Sequence, residues 1–298
     1  MYTRLTDSRA FRKTNILSTI PSSHLTSFSY THSFAMTDKY IVFLEQPLLV
    51  NGMKLAMCTA KGVPLQDCLD WRQEEPTRFH VIDKSTGNEL KIKYQSEALY
   101  HFHNINAYED DGCIVLDVIG YDDASVLDKF NLARMRNNEW DSTCPPVPRR
   151  FVLPLGDAAD FKTGENLVKL TNSDAKAEKN EKGVVWLTSE QLGPAGFELP
   201  SINYKHYNGR KYKYVYGSGS FERGYYANAV SCRLFLAVDN LTQLPRRIGL
   251  QGERGNKVGR TVERVGDGVS RRASVHLEAG RQQRRRRPSA VAGARDRS

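Results

Sequence analysis

The chain has 298 residues, with 43 Lys and Arg against 34 Asp and Glu, a formal charge of +9 and a sequence pI near 9.3. That length suits one large domain or two ordinary ones, and 40% hydrophobic with 10% aromatic residues describes a chain that buries a core rather than a disordered polymer. No apolar run approaches the roughly 18 residues that a spanning helix needs, which excludes a helical transmembrane protein.

Residues 1–15 read as an unstructured N-terminal extension. Arg4, Arg9, Arg12 and Lys13 among Ser and Thr resemble a mitochondrial transit segment, the second choice beside a cytoplasmic protein that touches membranes. Residues 16–245 form the body, and most of it reads as short strands between turns. Residues 40–45 (YIVFLE) are β-branched and aromatic. Residues 78–83 (RFHVID) and 89–94 (ELKIKY) alternate around a turn at 84–88, which makes a hairpin. Residues 99–108 and 113–121 flank Asp111-Gly112 as a second hairpin. Residues 202–207 and 210–216 flank Asn208-Gly209, a strong short hairpin signal, as a third. Further strands are expected at 150–155, 167–170 and 184–187, and one helix over 124–137 with Asp123 as N-cap. Gly217-Ser-Gly-Ser reads as a turn. The pattern is all-β, and hairpins of this spacing suit a sandwich, a barrel or a propeller alike. Cys58, Cys68, Cys113, Cys144 and Cys232 have no CxxC pair and no zinc-ligand rhythm, and read as reduced, mostly buried thiols.

Residues 246–298 hold 14 Arg and one Lys against five acids and no aromatic residue, leaving 28 bases and 29 acids in residues 1–245. Too little apolar area is present to offset ordering entropy, so a basic low-complexity, disordered tail is expected. Any polyanion affinity would be incidental to that tail. No specific nucleic-acid partner is expected of the neutral body.

Seven histidines are present, and none stands in a Ser-His-Asp order, a GxSxG, a Walker loop or a GxGxxG. His101 and His103 alternate with Tyr100 and Phe102, which places both on one face of a strand. By itself each is more often a structural, hydrogen-bonded residue than a ligand.

The motifs in combination say more. Tyr30-Thr-His32-Ser-Phe followed by Met36-Thr-Asp-Lys-Tyr-Ile-Val-Phe-Leu-Glu-Gln-Pro47, and Phe102-His103-Asn-Ile-Asn106-Ala-Tyr-Glu109-Asp-Asp-Gly112, resemble the second and third histidine motifs of the carotenoid cleavage oxygenase family, its animal branch above all. Arg149-Arg-Phe-Val-Leu-Pro-Leu155 and Phe197-Glu198-Leu-Pro-Ser-Ile-Asn-Tyr204 resemble that branch in order and spacing. The resemblance runs from about residue 16 to 219, less than half of the family's domain.

It implies a partial seven-bladed β-propeller of about three to four blades, with one or two helical insertions, and Fe(II) as cofactor held by four histidines. His32 and His103 match the second and third ligands; the first and fourth fall outside the match. Glu198 matches a carboxylate behind His103, while Phe102 and Tyr121 resemble walls of the substrate tunnel. The stretch from Leu48 to Met57 resembles a region that dips apolar side chains into a membrane, or else packs as a helix. The implied function is a non-haem Fe(II) dioxygenase that cleaves a conjugated double bond of a carotenoid or apocarotenoid with dioxygen. The alternative is a truncated, inactive propeller fragment acting as a binding module or having no activity.

Overall fold

The computed structural model describes residues 15–62, 64–137, 139, 144–193 and 195–219, together with the backbone of four strands within 232–276. In chain order the elements are β1 (Ser27–Ser29), β2 (Ala35–Met36), β3 (Tyr40–Glu45), β4 (Leu48–Asn51), α1 (Gly52–Lys61), β5 (Leu69–Trp71), β6 (Thr77–Asp83), β7 (Lys93–Ser96), β8 (Tyr100–Asp110), β9 (Cys113–Tyr121), α2 (Val126–Lys129) and α3 (Leu132–Arg136). Then follow β10 (Val147–Pro154), β11 (Lys176–Lys179), β12 (Val184–Thr188), β13 (Glu190–Gln191), β14 (Phe197–Ser201), α4 (Tyr204–Tyr207), β15 (Tyr214–Gly219) and β16 (Cys232–Leu236).

Strands β11-β12-β7-β6-β3-β2 form one sheet, β13-β10-β9-β8 a second, β14-β15-β16 a third and β1-β4-β5 a small fourth. Every pairing in them is antiparallel except β12 with β7. The second sheet lies between the first and third. All nine residues of β9 are buried, because its two faces serve two cores. Ile114, Leu116 and Val118 pack with Val42, Leu44, Phe79 and Leu153 on one side. Val115, Ile119 and Tyr121 pack with Tyr100, Phe197, Tyr212 and Val215 on the other. Successive antiparallel sheets stacked face to face, with no closed ring among the described residues, are the arrangement expected of part of a propeller.

The β8–β9 hairpin forms as its sequence predicts: Asp111 and Gly112 both have positive φ, 42° and 72°, as a two-residue hairpin turn requires. Other expectations are corrected. Residues 202–216 make no hairpin; residues 204–207 are a helical turn, and β15 pairs with β14 instead. The tight turn itself forms: Arg210 N donates to the Tyr207 carbonyl at 3.0 Å, with Gly209 at a φ of 72°. Asn106 on β8 holds it from outside, its Nδ2 donating to the carbonyls of Tyr207 and Arg210 and its Oδ1 accepting from Gly209 N, while the helical turn at 204–207 leaves no strand to pair. The helix over 124–137 is two short ones, because Asn131 Oδ1 accepts from the amides of Ala133 and Arg134 and starts α3 afresh. Asp123 accepts from Ser125 N before α2 rather than inside it. Residues 167–170 are not a strand, and of 89–94 only the end joins β7, with a lone bridge from Glu89 to Ile82. Gly217 lies in β15, not in a turn.

Cys58 on α1 and Cys68 are buried side by side, their Cα atoms 7.1 Å apart, since α1 turns back onto the 3-10 turn at Leu65–Cys68. Cys113 and Cys144 are free and buried. Leu48, Leu49 and Val50 are buried in β4, so Met53 and Met57 are the large apolar side chains of the predicted membrane-facing stretch that are exposed, with Lys54 and Ala56 beside them. The extension 1–14, with its basic residues, lies outside the described residues. So does most of 246–298, where Ile248–Gly252, Val258–Val262 and Ala273–His276 pair as antiparallel strands. Among the described residues no helix is long and apolar enough to cross a membrane.

Candidate metal centre

His32 sits in the open segment between β1 and β2, and His103 on β8 across from it. Their rings stand nearly perpendicular, 88° apart in plane, with centroids 5.1 Å apart. Two imidazoles 71 positions apart thus face one another, as neighbouring ligands of a single ion would.

A carboxylate fixes one of them. Glu198, 2% exposed on β14, places Oε2 2.7 Å from His103 Nδ1 and accepts the Tyr121 hydroxyl at Oε1, also at 2.7 Å. The amide of Leu199 donates to Oε2 as well. An ionised carboxylate only accepts, so Nδ1 carries a proton, and in the neutral imidazole the lone pair lies on Nε2. Holding the outer N–H in this way sets the tautomer of a ligating imidazole. With both oxygens engaged, Glu198 is not free to serve as a ligand itself.

His32 has a lowered pKa, first from burial and then from the adjacent His103, with Glu198 acting in the opposite sense. It therefore favours the neutral form that a metal needs. Two imidazoles, the outer nitrogen of one held by a carboxylate, are donors of a kind that suits a divalent metal. Among the described residues no group of three or more His, Cys, Asp and Glu could hold a metal ion.

The expectation that His101 and His103 share a face fails at a bulge. Pairing of β8 with β9 shifts register between His101 and Asn104, and again before Asn106. Such an extra residue re-aims its neighbours. His101 is fully buried, its Nδ1 facing Gln46 Oε1 at 3.1 Å, and burial first, then His103 and His32, push its pKa down to about 4. His103 instead turns toward His32.

Phe102 lies at the hub of an aromatic cluster, with ring centroids 5.4 Å from His32, 4.7 Å from Tyr100, 6.0 Å from Tyr121 and 5.9 Å from Phe130. Tyr121 is buried and fastened to Glu198 by its hydroxyl, so it helps to set the position of the carboxylate.

Sequence reasoning missed a second polar cluster. Arg150 grips Asp117 through Nε and Nη2 at 2.8 and 2.9 Å, and Tyr212 donates to the same carboxylate at 2.6 Å. All three are buried. Asp117 stands in the all-apolar run of β9, and a lone acid there is the signal that points to a buried partner.

The family model described as retinal pigment epithelial membrane protein matches residues 2–244. The chain belongs to this family, the carotenoid cleavage oxygenases. Among curated relatives it is 39% identical over 216 residues to a mitochondrial carotenoid-cleaving dioxygenase of Mustela putorius furo, covering 68% of this chain and 40% of that one. It is 39% identical over 212 residues to the beta,beta-carotene 15,15'-dioxygenase of Homo sapiens, covering 70% and 38%. The chain thus spans about two fifths of the length of these relatives. A solved structure of cobalt-substituted Synechocystis ACO is similar at a TM-score of 0.48 and 18% identity, covering 79% of this chain and 44% of that one.

Proposed function

We propose that this chain is part of a non-haem iron dioxygenase that cleaves a conjugated double bond of a carotenoid or apocarotenoid. The observation that carries it is the opposed pair His32 and His103 with Glu198 on the outer nitrogen of His103. His32 and His103 would hold Fe(II), with Nε2 of His103 the nitrogen left free to do so. Bound iron supplies the activation of dioxygen. Glu198 keeps the His103 proton at Nδ1, and Tyr121 keeps Glu198 from rotating away. Phe102 and Tyr121 form apolar walls against which a polyene lies flat, so that the double bond nearest the imidazoles is the one exposed to reaction.

Iron retained by the full chain after anaerobic loading, lost in His103→Ala, together with aldehyde or ketone products from β-carotene or an apocarotenal, is the result expected of a working oxygenase. A second reading is favoured by the two-imidazole set: a propeller portion that does not itself turn over substrate. Iron binding without turnover supports it.

Met53 and Met57, one helical turn apart on α1, are exposed, as are Leu25 and Phe28 beside β4. We propose that these side chains make the membrane contact that delivers a lipid-soluble substrate. Co-sedimentation with phosphatidylcholine vesicles, reduced in Met53→Gln with Met57→Gln, tests it. For location, relatives named mitochondrial favour the mitochondrial alternative, which import of the full chain into isolated mitochondria would test.

A further inference from the structure

Residues 30–34, which carry His32, belong to no strand, and β8, which carries His103, pairs along its length only with β9. No backbone ladder therefore joins the two histidine segments. Side chains join them at two points. Gln46, fully buried, donates from Nε2 to the Tyr30 carbonyl at 2.8 Å and accepts at Oε1 from the His101 amide at 2.8 Å. Ser33 donates from Oγ to the Phe102 carbonyl at 2.6 Å and accepts from Asn104 Nδ2 at 2.8 Å. Gln46 thus ties the residue two before His32 to the residue two before His103. Ser33, next to His32, is straddled by both neighbours of His103.

We propose that Gln46 and Ser33 are positioning residues that act as a two-point clamp, setting the angle and separation between the His32 and His103 rings. The inference rests on the metal reading above for its consequence, though not for its geometry. A loop held at one point can swing; held on both sides of His32, it leaves that ring little freedom. A bulged strand needs the same restraint, since its own ladder is interrupted between His101 and Asn106. The Ser33 hydroxyl is specifically suited because it both donates and accepts; alanine does neither, and threonine does both.

The test uses the full chain and Co(II) as a spectroscopic probe. Ser33→Ala and Gln46→Met are each expected to weaken Co(II) binding at least about tenfold, in the range seen when groups behind metal ligands are removed. They are also expected to alter the cobalt visible absorption, while Ser33→Thr restores both. A merely structural role would lower thermal stability without changing the spectrum. Co(II) binding and spectrum unchanged in Ser33→Ala, with binding lost in His103→Ala, overturns the clamp. If the wild-type chain binds no Co(II), the metal reading fails and the clamp is decided in metal-free protein. There a nuclear Overhauser contact between the His32 and His103 rings is expected in wild type and Ser33→Thr and lost in Ser33→Ala; its persistence in Ser33→Ala overturns the clamp. Should Ser33→Ala not fold, Asn104→Leu removes one of the two Ser33 bonds and is read by the same outcomes.

Discussion

His103 and Glu198 stand 95 residues apart in the chain and 2.7 Å apart in space, the histidine Nδ1 facing a carboxylate oxygen from another sheet. Replacing Glu198 by Gln keeps the shape and allows the amide oxygen or nitrogen to face Nδ1, so the tautomer of His103 is no longer fixed. Metal affinity is expected to fall about 10- to 100-fold, measured by Co(II) titration. Tyr121→Phe keeps the carboxylate but releases its Oε1, and is expected to cost less. Wild-type affinity in Glu198→Gln would mean that the contact does not tune the ligand.

A second histidine gives a pH signature. His80 lies between Glu45 and Glu89, at 3.2 and 2.7 Å, and Glu45 also takes the amide and hydroxyl of Ser23. Burial opposes both charges but is outweighed: the bonds from His80 and Ser23 lower Glu45 to about 2, and the two carboxylates raise His80. The lowered Glu45 stabilises the fold above its unfolded value near 4.5, an advantage lost as pH falls toward 2. The raised His80 stabilises it below 6.5, an advantage lost as pH rises through its folded value. The stability gap between wild type and His80→Gln is therefore expected to be widest between about 4.5 and 6.5 and to narrow on either side, read from urea midpoints. A gap independent of pH would remove the ion pairs from the account.

Asp117→Ala leaves the Arg150 guanidinium buried without its carboxylate. Breaking a buried pair in this way costs about 3–5 kcal/mol, which denaturant unfolding would show. Asp117→Leu combined with Arg150→Met should recover much of that loss, because neither charge then remains.

Gly217 is buried on β15, and a Cβ there would come within 2.3 Å of the Phe197 ring and 2.8 Å of the Glu198 carbonyl. Overpacking of this kind costs about 1–3 kcal/mol. Gly217→Ala should also loosen metal binding by moving the strand that carries Glu198. Lost stability with unchanged affinity would show that β14 holds its place.

The long alternating runs were legible from sequence because β3, β6, β8, β9 and β10 are dictated by their own side chains. The site residues were legible only through motif resemblance, since spacing alone cannot say that His32, His103 and Glu198 converge. What escaped was decided by distant partners. Asn208-Gly209 makes its tight turn, but the residues before it coil into a helical turn and Asn106, more than 100 residues earlier, takes the carbonyls of Tyr207 and Arg210, so no strands pair across it. His101 and His103 obey a two-residue period on paper, and the bulge between them breaks it. The linking roles of Gln46 and Ser33 left no trace in composition or periodicity, because either residue would be equally ordinary on a surface.

The sequence separations of these bonds have a consequence for how the centre comes into being. The Gln46–His101 bond spans 55 residues, Ser33–Asn104 spans 71, Tyr121–Glu198 spans 77 and His103–Glu198 spans 95. Each must close a long loop before it returns any free energy, so none forms from local structure. On a chain emerging from its N-terminus, both imidazoles are present long before the carboxylate that orients one of them. During that interval the His103 ring has no assigned proton position, and whichever nitrogen is free competes for any metal at hand. On the proposed iron-binding role, selection of the ion would begin only when β14 has been made and docked.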